Sequence, residues 1–265
     1  MDIPIPVAVH GAAGRMGQSI LEALRTRDDL QLVAALVRPG QQEKTPASLQ
    51  DSRIDCCDDL PASVAPAVLI DFSVAAAFDR ALAMALQRHI AFVSGTTGLD
   101  AHQRAALECA ATSIPVLWSA NFSLGVAVLT RLVGEAARAL PQWDCEIAEA
   151  HHERKQDAPS GTALALGREV AAARGVDFDA VAQRSRVERH IVRVTGEIGF
   201  AVTRAGDIVG EHTVLFATSG ERIELVHRAT DRGIFARGAV TAAAWIAGRP
   251  PGRYTLHDVV ATDPS

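Results

Sequence analysis

The amino-acid sequence predicts an α/β fold in two parts: a doubly wound parallel sheet, and a second, α+β domain with a mixed open sheet. Short apolar runs alternate with helix-like stretches as far as Trp118, which is typical of a parallel sheet with crossover helices. This alternation ends after about Gly125. Further along, strand-like segments follow one another with only turns between them, as in an antiparallel or mixed sheet.

The first domain is predicted to begin with a strand at residues 5–10. A glycine-rich turn follows, and then a helix is marked by apolar residues at roughly helical spacing, namely Ile20, Leu21, Leu24 and later Leu30. An Ala-rich helical pattern covers residues 74–87. Four further apolar runs predict strands at residues 32–37, 67–72, 90–93 and 114–118.

The second domain is predicted to start with a strand in which Trp143, Cys145 and Ile147 alternate with polar residues. A helix follows from about residue 162 to 173, and residues 190–229 form strands with turn signals at 205–207 and 218–221. A small-residue helix at 233–247 precedes Pro-Pro-Gly and a short tail. If this helix packs back on the first domain, the domains comprise residues 1–122 with 232–265, and residues 123–231.

Composition narrows the class of function. The chain of 265 residues is 48% hydrophobic and can bury a sizeable core. Its net charge of −5 offers no broad positive field, so neither nucleic acid nor membrane is an expected partner. The four cysteines have no zinc-binding spacing, so no metal site is expected. With no secretory signal and no apolar span long enough for a membrane, the sequence predicts a cytoplasmic protein.

A glycine-rich loop lies between the first predicted strand and helix. Gly11, Gly14 and Gly17 form GxxGxxG, whose missing side chains let the backbone turn tightly and approach a pyrophosphate at the helix start. Such glycines also occur where a helix merely packs closely on a strand. Because the loop follows the first strand of an alternating pattern, we favour a Rossmann-like, dinucleotide-binding domain.

The end of the second strand indicates which nucleotide is preferred. A carboxylate at this place would favour NAD, but the sequence has Val37-Arg38. An arginine can pair with a 2′-phosphate at about 1.5 to 3 kcal/mol, so NADPH is the predicted cofactor, with NADH possible. The alternative is that Arg38 is a solvated surface residue.

Two further loops follow predicted strands of the same sheet, Gly-Thr-Thr-Gly at 95–98 and Ala-Asn-Phe-Ser at 120–123. The carboxyl ends of parallel strands are where such sheets bind ligands. Ordinary turn chemistry is the alternative interpretation.

The segment from residue 146 to 163 concentrates reactive side chains. Either His151 or His152 could deliver the proton that accompanies hydride transfer to a C=C or C=N bond. Lys155 offers a charge for a carboxylate, and Ser160, Gly161 and Thr162 place hydroxyls and free amides at a helix start. Together they would bind a small dicarboxylate. The alternative is a polar loop with Ser160 as helix cap and solvated histidines.

At residues 149–163 the sequence E-A-H-H-x-x-K-x-D-A-P-S-G-T-A resembles the signature of the 4-hydroxy-tetrahydrodipicolinate reductase family. The resemblance extends over nearly the whole chain, through G-A-A-G-R-M-G at 11–17, the loops at 95–98 and 120–123, and R-A-G-D-I-V-G-E-H-T at 204–213. It implies reduction of 4-hydroxy-tetrahydrodipicolinate to tetrahydrodipicolinate with loss of water.

The resemblance also implies roles for individual residues. His151 would be proton donor and acceptor and Lys155 a second catalytic residue, while His152, Ser160, Gly161 and Thr162 would contact substrate. The implied cofactor contacts are Gly11, Ala12, Ala13, Gly14, Arg15, Met16, Arg38, Gly95, Thr96, Thr97, Ser119, Ala120, Asn121 and Phe122. Members that use NADH well often carry an acidic residue where this chain has Val37. A homotetramer built by the second domain's sheet is also implied.

Two other classes of function share some of these features. A redox-sensing regulator would bind NADPH without turnover, and its test is whether cofactor is consumed. Another Rossmann reductase, acting on a semialdehyde or imine, would share the first domain but not the signature at 149–163.

Overall fold

A computed structural model of the protein describes residues 3–40, 49, 54, 56–186 and 192–261. The chain divides into two compact units. The first unit comprises Met1–Leu124 and Gly233–Ser265, and the second comprises Gly125–Arg232.

The first unit contains a seven-stranded sheet in which every pair of neighbours is parallel. Numbered along the chain, its strands are β1 (Ile5–His10), β2 (Leu30–Leu36), β3 (Cys56–Cys57), β4 (Val68–Asp71), β5 (Ala91–Ser94), β6 (Pro115–Trp118) and β12 (Gly252–Tyr254). Their order across the sheet is β12-β6-β5-β4-β1-β2-β3. The strand order therefore reverses between β1 and β4, which creates the switch point where doubly wound sheets bind ligands.

Helices cover this sheet because its central strands are apolar on both faces. All four residues of β4 and of β5 are buried. The helices of this unit are α1 (Arg15–Leu24), α2 (Ala75–Arg88), α3 (Ala101–Ala110), α7 (Gly233–Ile246) and α8 (Leu256–Val260). Helix α3 starts at a capping box in which Asp100 and Gln103 bond each other's backbone amides. Helix α7 packs against α1 and against β4, β5 and β6.

The second unit contains a five-stranded mixed sheet. Its strands are β7 (Asp144–His151), β8 (Ala182–Gln183), β9 (Ile198–Arg204), β10 (Gly210–Thr218) and β11 (Glu221–Ala229), and its helices are α4 (Leu124–Ala139), α5 (Gly161–Arg174) and α6 (Phe178–Val181). The order is β11-β10-β7-β9-β8, with β10 antiparallel to both neighbours and β7, β9 and β8 parallel. Residues alternate between buried and half-buried along β10, so one face of the sheet meets the core.

This core joins the inner face of the sheet to α4 and α5. Ile147 of β7, Phe216 of β10, Val133 of α4 and Leu166 of α5 are completely buried in one cluster. The outer face of the sheet remains partly exposed.

The predicted fold class is confirmed, and several details differ from the prediction. Leu30 begins β2 instead of extending the first helix, because α1 ends at Leu24. The sequence pattern did not predict α4, and the tail after Pro251 adds β12 beside β6 and then α8. The predicted strand region starts at 190, and residues 190 and 191 lie outside the described residues. Over the described part of the chain, no helix combines the length and apolarity needed to cross a membrane.

Candidate active site

The end of β7 carries the histidine and carboxylate that define the site in the second unit. Cys145, Ile147, Glu149 and His151 are the buried residues of this strand, so they share its inner face. The face is apolar in the first half of the strand and polar at its carboxyl end. Glu149 is 3% exposed and His151 8%, an unusual depth for ionisable groups.

The Glu149 carboxylate takes part in four hydrogen bonds. Arg204 approaches as a fork, with Nη1 2.8 Å from Oε2 and Nη2 2.9 Å from Oε1. The backbone N–H of Ser160 donates to Oε1 at 3.0 Å, and His151 Nδ1 lies 2.6 Å from Oε2. Burial by itself would raise the pKa of Glu149, but the bonds from Arg204, His151 and Ser160 outweigh it and lower that pKa. Glu149 is therefore an ionised carboxylate inside the protein.

Arg204 reaches Glu149 because β9 runs parallel to β7 with Arg204 opposite His151. Its Nε also donates to the carbonyl of Lys155 at 3.2 Å, and Nη2 donates to the carbonyl of Asp157. One guanidinium thus joins the buried carboxylate to the loop that follows β7.

Ser160 and His212 form a second buried contact beside this one. Ser160 caps α5 by accepting from the Ala163 amide, and its Oγ lies 3.2 Å from Nε2 of His212. His212 stands opposite Glu149 on β10, and its ring meets that of His151 edge to face at 5.2 Å. Burial, then the charge of His151, lower the pKa of His212 to about 4, so the ring is neutral at ordinary pH.

The other predicted substrate residues lie on the adjoining loop and helix start. Lys155 Nζ pairs with Asp157 Oδ1 at 2.7 Å, and this bond from Lys155 lowers the pKa of Asp157. His152 is half-buried, and its Nδ1 has no partner among the described residues. Desolvation, followed by nearby positive charges, lowers the pKa of His152. Gly161 is exposed and Thr162 half-buried in the first turn of α5.

The glycine loop of the first unit has the tight geometry that the sequence predicts. Gly11 has φ of +80°, and a Cβ there would lie 2.6 Å from the carbonyl oxygen of Phe72. A Cβ on Gly17 would overlap Gly11 and Ala12. Helix α1 begins at Arg15 with Gly14 as N-cap and without a side-chain cap, which leaves first-turn amides available to an anion. Ala12, Ala13 and Met16 complete this turn, which fits the pyrophosphate of a dinucleotide.

A buried polar network underlies the neighbouring loop. Asp71, at the end of β4, accepts from Ser94 Oγ at 2.9 Å and Thr96 Oγ1 at 2.7 Å, and its other oxygen lies 2.8 Å from Nδ1 of His10. The Ser73 amide in turn donates to Thr96 Oγ1 at 3.1 Å. The carboxyl ends of β1, β4 and β5 are thereby joined. Gly95 and Thr97 flank Thr96 in this loop.

The loop after β6 is held mostly by its own groups. Ser119 Oγ donates to the Asn121 carbonyl at 2.7 Å, and the Ser123 amide donates to Asn121 Oδ1 at 2.8 Å. Phe122 is 1% exposed and packs on Phe72 with ring centroids 5.1 Å apart, while Ala120 is exposed. Phe72 thus contacts both the glycine turn and this loop.

Arg38 stands two residues beyond β2, exposed, and neither a hydrogen bond nor an ion pair joins it to another described residue. Its guanidinium is available to an anionic group. Within the described residues, no group of three or more His, Cys, Asp or Glu side chains is placed to hold a metal ion.

Comparison with protein families matches both parts of the chain. Residues 5–122 match the model of the dihydrodipicolinate reductase N-terminus, and residues 125–260 match that of its C-terminus. The chain belongs to the dihydrodipicolinate reductase family. A relative from Stenotrophomonas maltophilia (strain R551-3), named 4-hydroxy-tetrahydrodipicolinate reductase, is 48% identical over 97% of this chain and 98% of its own. One of the same name from Alkalilimnicola ehrlichii is 48% identical over 96% of this chain and 98% of its own.

Solved structures share the fold of this dihydrodipicolinate reductase family member. Dihydrodipicolinate reductase from Paenisporosarcina sp. TG-14, solved with dipicolinate bound, has a TM-score of 0.79 at 23% identity and covers 97% of this chain and 100% of its own. GenD2 of gentamicin A biosynthesis, in complex with NAD, has a TM-score of 0.61 at 15% identity, covering 98% of this chain and 91% of its own.

Sequence reasoning did not single out the buried partners of the predicted residues. In the second unit these are Glu149, Arg204 and His212, and in the first unit Asp71, Ser94 and His10. One signal was available for Glu149. It stands two residues before His151 in a strand of alternating pattern, and such spacing places both on one face.

Proposed function

We propose that this protein reduces 4-hydroxy-tetrahydrodipicolinate to tetrahydrodipicolinate with a nicotinamide cofactor, in lysine and diaminopimelate biosynthesis. The observation that carries the proposal is the match of both halves of the chain to one reductase family, with relatives of that name covering nearly the full length. The overall reaction consumes one hydride and one proton and releases the 4-hydroxyl as water.

His151 is the proposed proton donor and acceptor. Its Nδ1 is engaged by Glu149, so Nε2 is the nitrogen that exchanges a proton with the substrate. The electrons that the substrate gains require a proton on the carbon next to the one that receives hydride. General acid catalysis of this kind contributes about 10²- to 10⁴-fold, so we expect His151→Gln to lose activity on that scale.

The substrate's two carboxylates are proposed to bind to Lys155 and to the start of α5. Lys155 supplies a positive charge, Gly161 and Thr162 supply amides and a hydroxyl at a helix N-terminus, and His152 contacts the substrate beside them. Ser160 holds this helix start in place through its cap. Lys155 is also proposed as a second catalytic residue, a proton donor that attracts a carboxylate.

The cofactor is proposed to bind in the first unit. Gly11 to Met16 would hold its pyrophosphate, with Gly95, Thr96 and Thr97 and the loop from Ser119 to Phe122 around the rest of the molecule. When bound, the nicotinamide supplies the hydride. Arg38, exposed and free of other described partners, would pair with the 2′-phosphate, and this favours NADPH over NADH.

Two further properties of the protein are proposed with this function. The outer face of the second unit's sheet would join four copies into a homotetramer. The second is a cytoplasmic location, which the sequence predicts.

The direct test is turnover. Substrate is generated in situ from pyruvate and aspartate semialdehyde by its synthase, and oxidation of NADPH and NADH is followed in parallel. We expect rapid turnover that favours NADPH. Absence of turnover with both cofactors would reject the enzyme in favour of a cofactor-binding sensor or a different reductase.

The test of cofactor choice is Arg38→Ala. Because a charge-assisted pair is worth about 1.5 to 3 kcal/mol, kcat/KM for NADPH should fall by roughly ten- to a hundredfold while that for NADH changes little. Arg25→Ala, another exposed arginine of the first unit, is the matched control and should leave both values unchanged. An equal loss with both cofactors would contradict the role of Arg38.

A further inference from the structure

We propose that Glu149 and Arg204 are positioning residues that keep a proton on Nδ1 of His151 and leave Nε2 to exchange protons with the substrate. The inference rests on the proposed function and adds two residues to its machinery. Neither Glu149 nor Arg204 need touch the substrate, since both act through His151.

The proton's position follows from what each atom can do. Oε2 of Glu149 lies 2.6 Å from Nδ1 of His151, and an ionised carboxylate can only accept hydrogen bonds. The same Oε2 already receives Nη1 of Arg204 at 2.8 Å, so a proton on the carboxylate would face a second donor. The shared proton therefore belongs to Nδ1, and the neutral ring presents an unprotonated Nε2.

The opposite edge of the ring is kept clear by a glycine. A Cβ on Gly210 would lie 3.1 Å from Nε2 of His151, which is closer than ordinary packing. Any larger residue here would crowd the nitrogen that must meet the substrate. Gly210 thus supplies space at Nε2, as Glu149 supplies a partner at Nδ1.

No other charged group that the structure describes around His151 can replace Glu149. His212 faces the ring at 5.2 Å and is neutral, and the ammonium of Lys155 is occupied by Asp157. His152 has the same sign of charge when protonated. Among the described residues, Glu149 is the carboxylate in direct contact with the imidazole.

Arg204 holds the carboxylate in one orientation. Its fork occupies both oxygens of Glu149, and the Ser160 amide adds a third fixed donor on Oε1. Arg204 also donates to the carbonyls of Lys155 and Asp157, so it fixes the loop that follows β7 relative to the Glu149 carboxylate.

Protonated His151 gives its Nε2 proton to the carbon beside the one that accepts hydride, so an N–H bond breaks and a C–H bond forms. The electron pair of the N–H bond stays on Nε2, and the ring becomes neutral with its proton on Nδ1. Nε2 regains a proton from solvent before the next turnover.

The decisive variant is Glu149→Gln. The Gln side-chain oxygen should occupy the place of Oε1, where it still accepts from the Ser160 amide and from Nη2 of Arg204. In the reverse orientation the Gln NH₂ group would face both of these donors, whereas in this orientation it faces only Nη1 of Arg204. The amide NH₂ then faces Nδ1 of His151 and donates to it. The neutral ring should therefore move its proton to Nε2, which can no longer accept one.

Two measurements read this change. Long-range ¹H–¹⁵N spectra of the full protein without substrate, with His151 assigned through His151→Gln, should report the proton on Nδ1 in the parent and on Nε2 in Glu149→Gln. In the coupled assay, kcat should fall about 100-fold or more while KM for substrate stays within about threefold. An unchanged proton position, or an unchanged kcat, overturns the proposal.

The matched control is Glu146→Gln. Like Glu149, Glu146 lies on β7 and pairs with arginine, here Arg186 at 2.6 Å and Arg193 at 3.1 Å, but it points to the other face of the sheet. It should change neither the spectrum of His151 nor kcat. An equal effect of both variants would mean that loss of any carboxylate on β7 acts through the fold, which overturns the specific role.

A second variant guards against misfolding of the first. Arg204→Lys keeps the positive charge that favours ionised Glu149, so the His151 proton should stay on Nδ1. It loses the fork that fixes the carboxylate, so kcat should fall. Arg193→Lys, which changes an arginine bound to Glu146, should behave as the parent. Unchanged kcat in Arg204→Lys overturns the role of Arg204. If the parent protein does not turn over substrate, the proposed function fails, while the spectra still decide where the proton lies.

Discussion

His151 and His212 lie side by side, yet their ring nitrogens meet different partners. His151 has a buried carboxylate on Nδ1, whereas His212 has the Ser160 hydroxyl on Nε2 and no described partner on Nδ1. Desolvation disfavours the charged form of an imidazole unless an anion compensates it. His212, which has no anion in contact, is therefore kept neutral by its burial, whereas His151 has a carboxylate against its ring.

This difference predicts how stability depends on pH. The folded-state pKa of His212 is about 4, against 6.5 for an ordinary histidine, so between these values the unfolded chain binds a proton that the folded protein does not. Stability should fall as the pH falls from 6.5 towards 4, by at most about 3 kcal/mol from this residue.

Urea unfolding between pH 7 and 4.5 measures this contribution, with His212→Gln as the comparison. The variant should show a flatter pH dependence. His227 and His152, whose pKa values are also lowered, remain in both proteins and cancel in the difference. The lowered pKa of Glu149 affects stability at lower pH. The stability that this carboxylate contributes is lost only as the pH falls below 4.5, the ordinary pKa of a glutamate. Equal slopes in the two proteins would contradict the prediction.

At the scale of elements, parallel strands bring distant polar residues to one edge. Asp71 at the end of β4 forms hydrogen bonds with His10 of β1 and Ser94 of β5 because β4 lies between those two strands. Asp71 is completely buried and binds three side chains. One of them is Thr96, so Asp71 fixes the position of the loop at residues 95–98.

Replacing Asp71 tests this anchor. Asp71→Ala leaves three buried polar partners unsatisfied and should lower the free energy of unfolding by about 3 kcal/mol or more, with a raised KM for the nucleotide. Asp71→Asn should cost only about 1 kcal/mol, because the two hydroxyls can turn to accept from the amide. Chemical unfolding and cofactor kinetics measure both effects, and equal losses in the two variants would contradict the network.

At the scale of the whole molecule, the outer face of the five-stranded sheet is the surface suited to assembly. Val226, Thr213, Ala148 and Ala201 form one row across β11, β10, β7 and β9. Three of the four are exposed, and none carries a charge. Small uncharged side chains in register make a flat surface on which a second sheet can pack.

Ala148→Arg tests whether copies meet on this row. A large charged side chain at its centre should dissociate the proposed tetramer, and light scattering after size-exclusion chromatography measures the mass. Ala83→Arg, at an exposed position of α2, is the control and should leave the mass unchanged. A tetramer that persists in Ala148→Arg would exclude this face.

The structural features that the sequence predicts are those whose residues form a continuous pattern along the chain. Apolar runs, a glycine turn and the motif around His151 are each contiguous in the chain, so they indicated the parallel sheet, the mixed sheet and the family. Helix α4 and strand β12 gave weaker local patterns, and only their packing identifies them.

The sequence by itself therefore determined the fold class, the family and His151, Lys155 and Ser160 as candidate site residues. The tertiary structure decided what those residues contact. Glu149 and Arg204 are 55 positions apart and meet only because β7 and β9 lie parallel in register. The physical reason is that a buried carboxylate needs donors to compensate for lost solvation. Glu149 finds its guanidinium partner only through strand register, which no local pattern encodes.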